Sequence, residues 1–200
     1  MDDPAYASFA AANSPRLREA GLKGGYATVS LRDGTLEFVG AEGGGVRLLA
    51  GKVDRLRLGY TQGRAGQPHF QALIWPAGEG KPILVLPLGE AADKAAFGAA
   101  MRAYAVALTQ AHGLGRVERG ISGLAALAGL LLVSFPVALY AIVSVRSADR
   151  ENWIGALAGG LVLAGVTGAF YWAYQGRSAP RRIKDLTELE RLTPGPNFRL

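Results

Sequence analysis

From Gly25 onward, short apolar alternations are separated by glycines. Tyr26 to Leu31 reads as a strand, and Thr35 to Val39 as its return. Arg32-Asp33-Gly34 between them reads as a turn, because Asp-Gly supplies the positive φ that a tight hairpin needs. Gly43-Gly44-Gly45 predicts a second turn, followed by strands over Val46–Leu49 and Val53–Tyr60. In the latter, Leu56, Leu58 and Tyr60 alternate with Arg55, Arg57 and Gly59, so one face is buried and the other is wet and basic. After a polar, glycine-rich loop over Thr61–Pro68, Phe70–Trp75 and Ile83–Leu86 predict two more strands around the turn Gly78-Glu79-Gly80-Lys81.

The period then changes. Glu90–Ala111 contains no proline and repeats Phe97, Met101, Tyr104, Ala105 and Leu108 at helical spacing, which predicts an amphipathic helix. Glu90 and Asp93 at its start and His112 at its end suit the helix dipole, and Gly113 and Gly115 act as a stop. Residues 1–20 are alanine-rich, with Pro4 and Pro15, and predict a loose lead-in with a short helix.

Beyond residue 120 two long apolar runs dominate. Residues 120–145 and 152–175 carry no charge. A bilayer core of roughly 30 Å needs about 20 helical residues, so each run predicts a transmembrane helix, with 146–151 as a short external loop. Tyr140, Trp153, Tyr171, Trp172 and Tyr174 fall near the run ends, where amphipathic rings favour the interface. Gly155 with Gly159, and Gly165 with Ala169, form small-residue pairs suited to close helix packing, on each other or on another subunit.

Charge adds an orientation. The chain carries a formal +6, and the basic excess lies mainly beside the apolar runs. Arg146 and Arg150 sit in the loop, against Arg116, Arg119, Arg177, Arg181, Arg182 and Lys184 outside it. This bias predicts a two-pass integral protein of a bacterial inner membrane with both termini cytoplasmic. There is no dense basic stripe with interleaved aromatics, so a nucleic-acid partner is not expected. The absence of cysteine excludes disulfides, thiolate metal sites and cysteine nucleophiles. The acidic start Met1-Asp2-Asp3-Pro4 does not suggest a cleaved signal peptide.

The fold expected is therefore α+β: a small antiparallel β-barrel or sheet of about six strands over residues 21–113 with a C-terminal capping helix, then the transmembrane hairpin, then a basic, amphipathic cytoplasmic tail over 176–200. The hairpin at Asp33-Gly34, the strand run ending Ile83-Leu84-Val85-Leu86, and the terminal helix around Phe97 and Tyr104 resemble the pleckstrin-homology-like superfold of bacterial membrane proteins. That resemblance implies a helix plugging one end of a strand barrel.

No catalytic, metal or cofactor constellation is visible. His69 and His112 lack metal spacing, and neither Gly43-Gly44-Gly45 nor Gly80-Lys81 has the context of a nucleotide loop. The candidate binding face is Lys52, Arg55, Arg57 and Arg64, read as a solvated strand face or as a contact for anionic lipid headgroups or a protein. Arg177, Arg181, Arg182 and Lys184 form a basic cluster that sets topology or recruits lipid. Ile183, Leu186, Leu189 and Leu192 recur every three residues and predict a short helix lying on the membrane or on the domain. The function expected is a membrane-anchored, non-enzymatic adaptor or regulator. The alternatives are an accessory subunit contacting a larger complex through its hairpin, or a membrane enzyme.

Overall fold

A computed structural model describes residues 8–62, 68–89, 91–120, 159–160, 162, 165–166, 168–169 and 180–193. The chain divides into two compact units. The first joins Met1–Gly120 to Arg181–Leu200, and the second is Ile121–Pro180.

In the first unit, β1 (Ser8–Ala12), β2 (Tyr26–Arg32), β3 (Thr35–Gly40) and β4 (Gly45–Leu49) form an antiparallel sheet in that order. Asp33 (φ 48°) and Gly34 (φ 69°) make the β2–β3 turn, in the left-handed region that Asp and Gly tolerate best. A second sheet has the order β7-β6-β5-β8-β9, from β5 (Val53–Gln62), β6 (Pro68–Pro76), β7 (Ile83–Val85), β8 (Val117–Arg119) and β9 (Arg181–Arg182). The sheets join at β1, where Ala12 N–H donates to Leu86 O (2.9 Å) and Leu88 N–H to Ala10 O (2.8 Å).

Helix α1 (Pro15–Glu19) is a single turn that buries Leu17, whereas α2 (Ala91–His112) spans the core. Its face of Phe97, Met101, Tyr104, Ala105 and Leu108 is buried together with Phe9, Val29, Phe38, Leu56 and Leu58. Phe9 meets Phe97 edge to face at 5.4 Å, and Tyr104 donates to Leu48 O across 3.0 Å. Burial of that phenol raises its pKa, because the charged form would lose its water.

The chain after α2 departs from the expected barrel. Beyond a 3-10 turn (Leu114–Arg116), β8 runs parallel to β5, with Leu56, Arg57 and Leu58 opposite Val117, Glu118 and Arg119. Gly59 permits the close approach: a Cβ there would lie 2.6 Å from Gly120 O. β9 then pairs antiparallel with β8 from the far end of residues 121–180. Behind it, Ile183 and Leu189 enter the core and a 3-10 segment (Leu186–Arg191) lies on the unit. Asp185 caps that segment, accepting from the backbone N–H groups of Thr187 and Glu188. The Thr187 hydroxyl, with these amides, holds the Asp185 carboxyl below its ordinary pKa.

Several expectations are corrected. The expected α+β fold, a small antiparallel barrel or sheet of about six strands capped by a C-terminal helix, is replaced by nine strands in two sheets among the described residues. One strand precedes residue 20 and two follow α2, because the core recruits short segments that carry no periodicity of their own. The transmembrane hairpin, and with it the two-pass placement in a bacterial inner membrane with both termini cytoplasmic, is set aside. No helix among the described residues is long and apolar enough to cross a membrane. The two runs, 120–145 and 152–175, lie almost wholly outside the described residues. Of the second unit, Gly159, Gly160, Val162, Gly165, Val166, Gly168 and Ala169 are helical. Hydropathy alone does not separate a spanning helix from another apolar one.

Candidate functional site

The outer face of the second sheet gathers charged side chains from three strands. Register sets it: Arg55 lies opposite Trp75, Arg57 beside Glu118, and Glu118 opposite Arg182. These side chains share one face because alternate residues of each strand point the same way, while Leu56 and Leu58 point into the core. The Arg55 guanidinium sits 4.0 Å from the Trp75 ring centre and that of Arg57 at 5.0 Å, within range of cation–π attraction. Arg57 gives Glu118 two hydrogen bonds, from Nε at 2.9 Å and Nη2 at 2.7 Å.

Beside this ladder lies an open groove of about 710 Å³. Asp54, Arg55, Trp75, Glu79, Glu118, His112, Arg116 and Arg182 line it, with Gly80 and Gly115 leaving its walls low. Its acids are engaged. Glu118 holds Arg57 and, at 3.6 Å, Arg55. Glu79 pairs with Arg16 at 2.5 Å. Asp54 accepts from Gly78 N–H at 3.3 Å.

The cations are not matched in the same way. Arg116 reaches only the Asp54 backbone carbonyl, at 3.2 Å. Arg182 is exposed, and among the described residues it meets no carboxylate within ion-pair distance. Arg55 is 39% exposed and shares its acid with Arg57. His112, exposed at the end of α2, meets Gly51 O at 3.1 Å. The groove therefore offers three guanidinium groups to a ligand, one of them placed over an indole.

Of the four cations read as one basic face, Arg55 and Arg57 stand together beside Trp75 and Glu118. Lys52 is exposed on a 3-10 turn (Ala50–Lys52) outside the groove lining, and Arg64 lies outside the described residues. Arg57 is only 11% exposed and is held by Glu118, so it supports the wall and is not offered to a ligand. Of the second cluster, Arg182 enters the groove. Arg181 sits opposite Arg119, Lys184 is exposed, and Arg177 lies outside the described residues. Among the small-residue pairs, a Cβ on Gly159 or Gly165 would meet no atom of a described residue within 4 Å, Ala169 is exposed, and Gly155 lies outside the described residues.

Sequence reasoning missed Trp75, Glu118 and His112 as site residues, read Arg116 as a topology charge, and read Arg182 as part of a basic cluster that sets topology or recruits lipid. No local motif marks them, since only the pairing of β8 with β5 and β9 makes them neighbours. No cluster of His, Asp or Glu among the described residues is arranged to hold a metal ion.

No family model matches the sequence, and no curated protein or solved structure matches it, so the pleckstrin-homology-like resemblance stays an architectural expectation.

Proposed function

We propose that this protein is a non-enzymatic binding module that takes an acidic segment of a protein partner into the groove. The observation that carries the reading is the imbalance within the lining. Its carboxylates are occupied by neighbouring groups, while Arg55, Arg116 and Arg182 keep donors for an incoming anion. Arginine suits this work, because its planar fork meets a carboxylate through two parallel hydrogen bonds. The Trp75 face holds the Arg55 fork in place, which lowers the entropy lost on binding.

A peptide fits better than an anionic lipid surface. The site is concave, and Asp54, Glu79 and Glu118 lie among the arginines, where a dense phosphate layer would be repelled. An extended chain with spaced carboxylates can reach the cations and avoid the acids.

Calorimetric titration of the full chain with a hexaglutamate peptide tests this. Binding is expected at low salt and should weaken as salt rises, since a Debye length near 10 Å at 0.1 M screens such contacts. The double variant Arg55→Glu, Arg182→Glu should lose it while its circular dichroism is unchanged. Binding that survives the double reversal would remove the groove from consideration. Phosphatidylserine vesicles bound in place of the peptide would transfer the site to lipid headgroups.

A further inference from the structure

The groove is built from three stretches of chain. β5, β6 and the turn after them supply Arg55, Trp75 and Glu79, and the end of α2 with β8 supplies His112, Arg116 and Glu118. Arg182 alone arrives after the chain has passed through residues 121–180. It stands on a strand of two residues, held to β8 by the pairs Glu118–Arg182 and Arg119–Arg181.

So short a ladder does not support itself. The segment behind it does the holding, through two buried side chains, Ile183 and Leu189, and two partly buried ones, Leu186 and Leu192, packed against the core. Ile183 N–H donates to Val117 O at 3.2 Å. Arg102 on α2 donates to the buried Thr193 hydroxyl at 2.8 Å. Arg119 meets Glu188 at 3.4 Å. An element with few buried apolar contacts opens at lower free energy than the core around it. Residues 181–193 thus form a clasp within the first unit, and one wall of the groove is part of that clasp.

Resting on the reading of the groove as the site for an acidic segment, we infer that ligand occupancy and docking of the clasp are thermodynamically linked, so that the clasp regulates the site. A carboxylate seated between Arg182 and either Arg55 or Arg116 ties the clasp to the body of the unit. Release of the clasp withdraws Arg182 and leaves the carboxylate facing Glu118 with one cation fewer. The ligand binds the docked state more tightly, and by reciprocity it favours docking by the same factor. The strands that bound the groove, β8 and β9, also carry the chain into and out of residues 121–180. Any event that holds those two chain ends together strengthens the site, and any event that parts them weakens it.

The test uses the full chain, hexaglutamate as probe, and two readouts. The first is amide hydrogen exchange at Ile183, whose N–H is bonded to Val117 O only when the clasp is docked. Saturating peptide should slow this amide by the same factor, on the order of fivefold, by which Arg182→Ala weakens peptide binding. The second is a lock. The chain has no cysteine, and Arg119 and Arg181 are Cα partners, roughly 4.5–5.5 Å apart in any antiparallel pair and so within disulfide reach. In the variant Arg119→Cys, Arg181→Cys, the oxidised form should bind peptide more tightly than the reduced form. Peptide binding with neither effect would overturn the linkage and leave the groove reading standing. Exchange slowed equally in β6 and α2 would also overturn it, since that is general stabilisation. No peptide binding at all would overturn both.

Discussion

Arg57 and Glu118 lie side by side on parallel strands, joined by hydrogen bonds of 2.9 and 2.7 Å, with side chains only 11% and 15% exposed. Glu118 is the only acid on β8, and it faces the one arginine of β5 that is largely covered. The pair therefore fixes the β5–β8 register while holding Glu118 in the wall of the groove.

This makes Arg57 a stability residue. Arg57→Ala should cost about 2 kcal/mol, the worth of hydrogen bonds to a charged partner in a partly buried place. Arg57→Glu should cost more, because it sets two carboxylates against each other. A double-mutant cycle with Glu118→Gln, read by urea unfolding, should give a coupling energy above 1 kcal/mol. Additive effects would show that the two side chains do not support one another.

Tyr104 links stability to alkaline pH. Its phenol is buried and its pKa is raised by burial, so the folded chain keeps this proton when the unfolded chain would release it near pH 10. The stabilisation is complete below about pH 10 and is lost as pH rises from there toward the folded value. Tyr104→Phe removes the bond to Leu48 O and should cost about 1 kcal/mol at neutral pH. It should also flatten the decline in stability above pH 10. Equal alkaline slopes in both proteins would refute the assignment.

The first unit should fold without the second. Arg119 and Arg181 are direct partners, so residues 121–180 occupy the place of a hairpin turn. Replacing them with five Gly and Ser residues should leave a cooperatively folded, sheet-rich protein. It should gain about 2 kcal/mol from the shorter loop. A fragment of residues 21–113 should fail to fold, because it lacks Phe9, Leu17, Val117, Ile183 and Leu189. A folded fragment, or an unfolded replacement, would contradict the boundaries of the unit.

How much of this was legible follows the length of each element. β2, β3, β5 and β6 are long enough to show period two, and Asp33-Gly34 marks its turn by chemistry alone. The buried face of α2 is visible in the spacing of Phe97, Met101, Tyr104 and Leu108. β1 is hidden because Ser8–Ala12 is mostly alanine, a poor strand former. β8 and β9 span three and two residues, too few for any period. The site suffered more than the fold. Alternation places Arg55 and Arg57 on one face, but only the arrival of Glu118 decides that one is held and the other offered. The apolar runs had the opposite effect: their strength made Arg182 look like a marker of a boundary, when it is a wall of the groove.

The clasp also orders events during synthesis. Synthesis of α2 is complete at residue 112, yet Ile183 and Leu189, which complete its packing, are made some seventy residues later. At about 5–20 residues per second, that leaves roughly 4–15 seconds in which the nascent core stands open. The interval is set by the length of the 121–180 segment, so a chain with a longer or shorter segment there would run on a different clock while reaching the same fold.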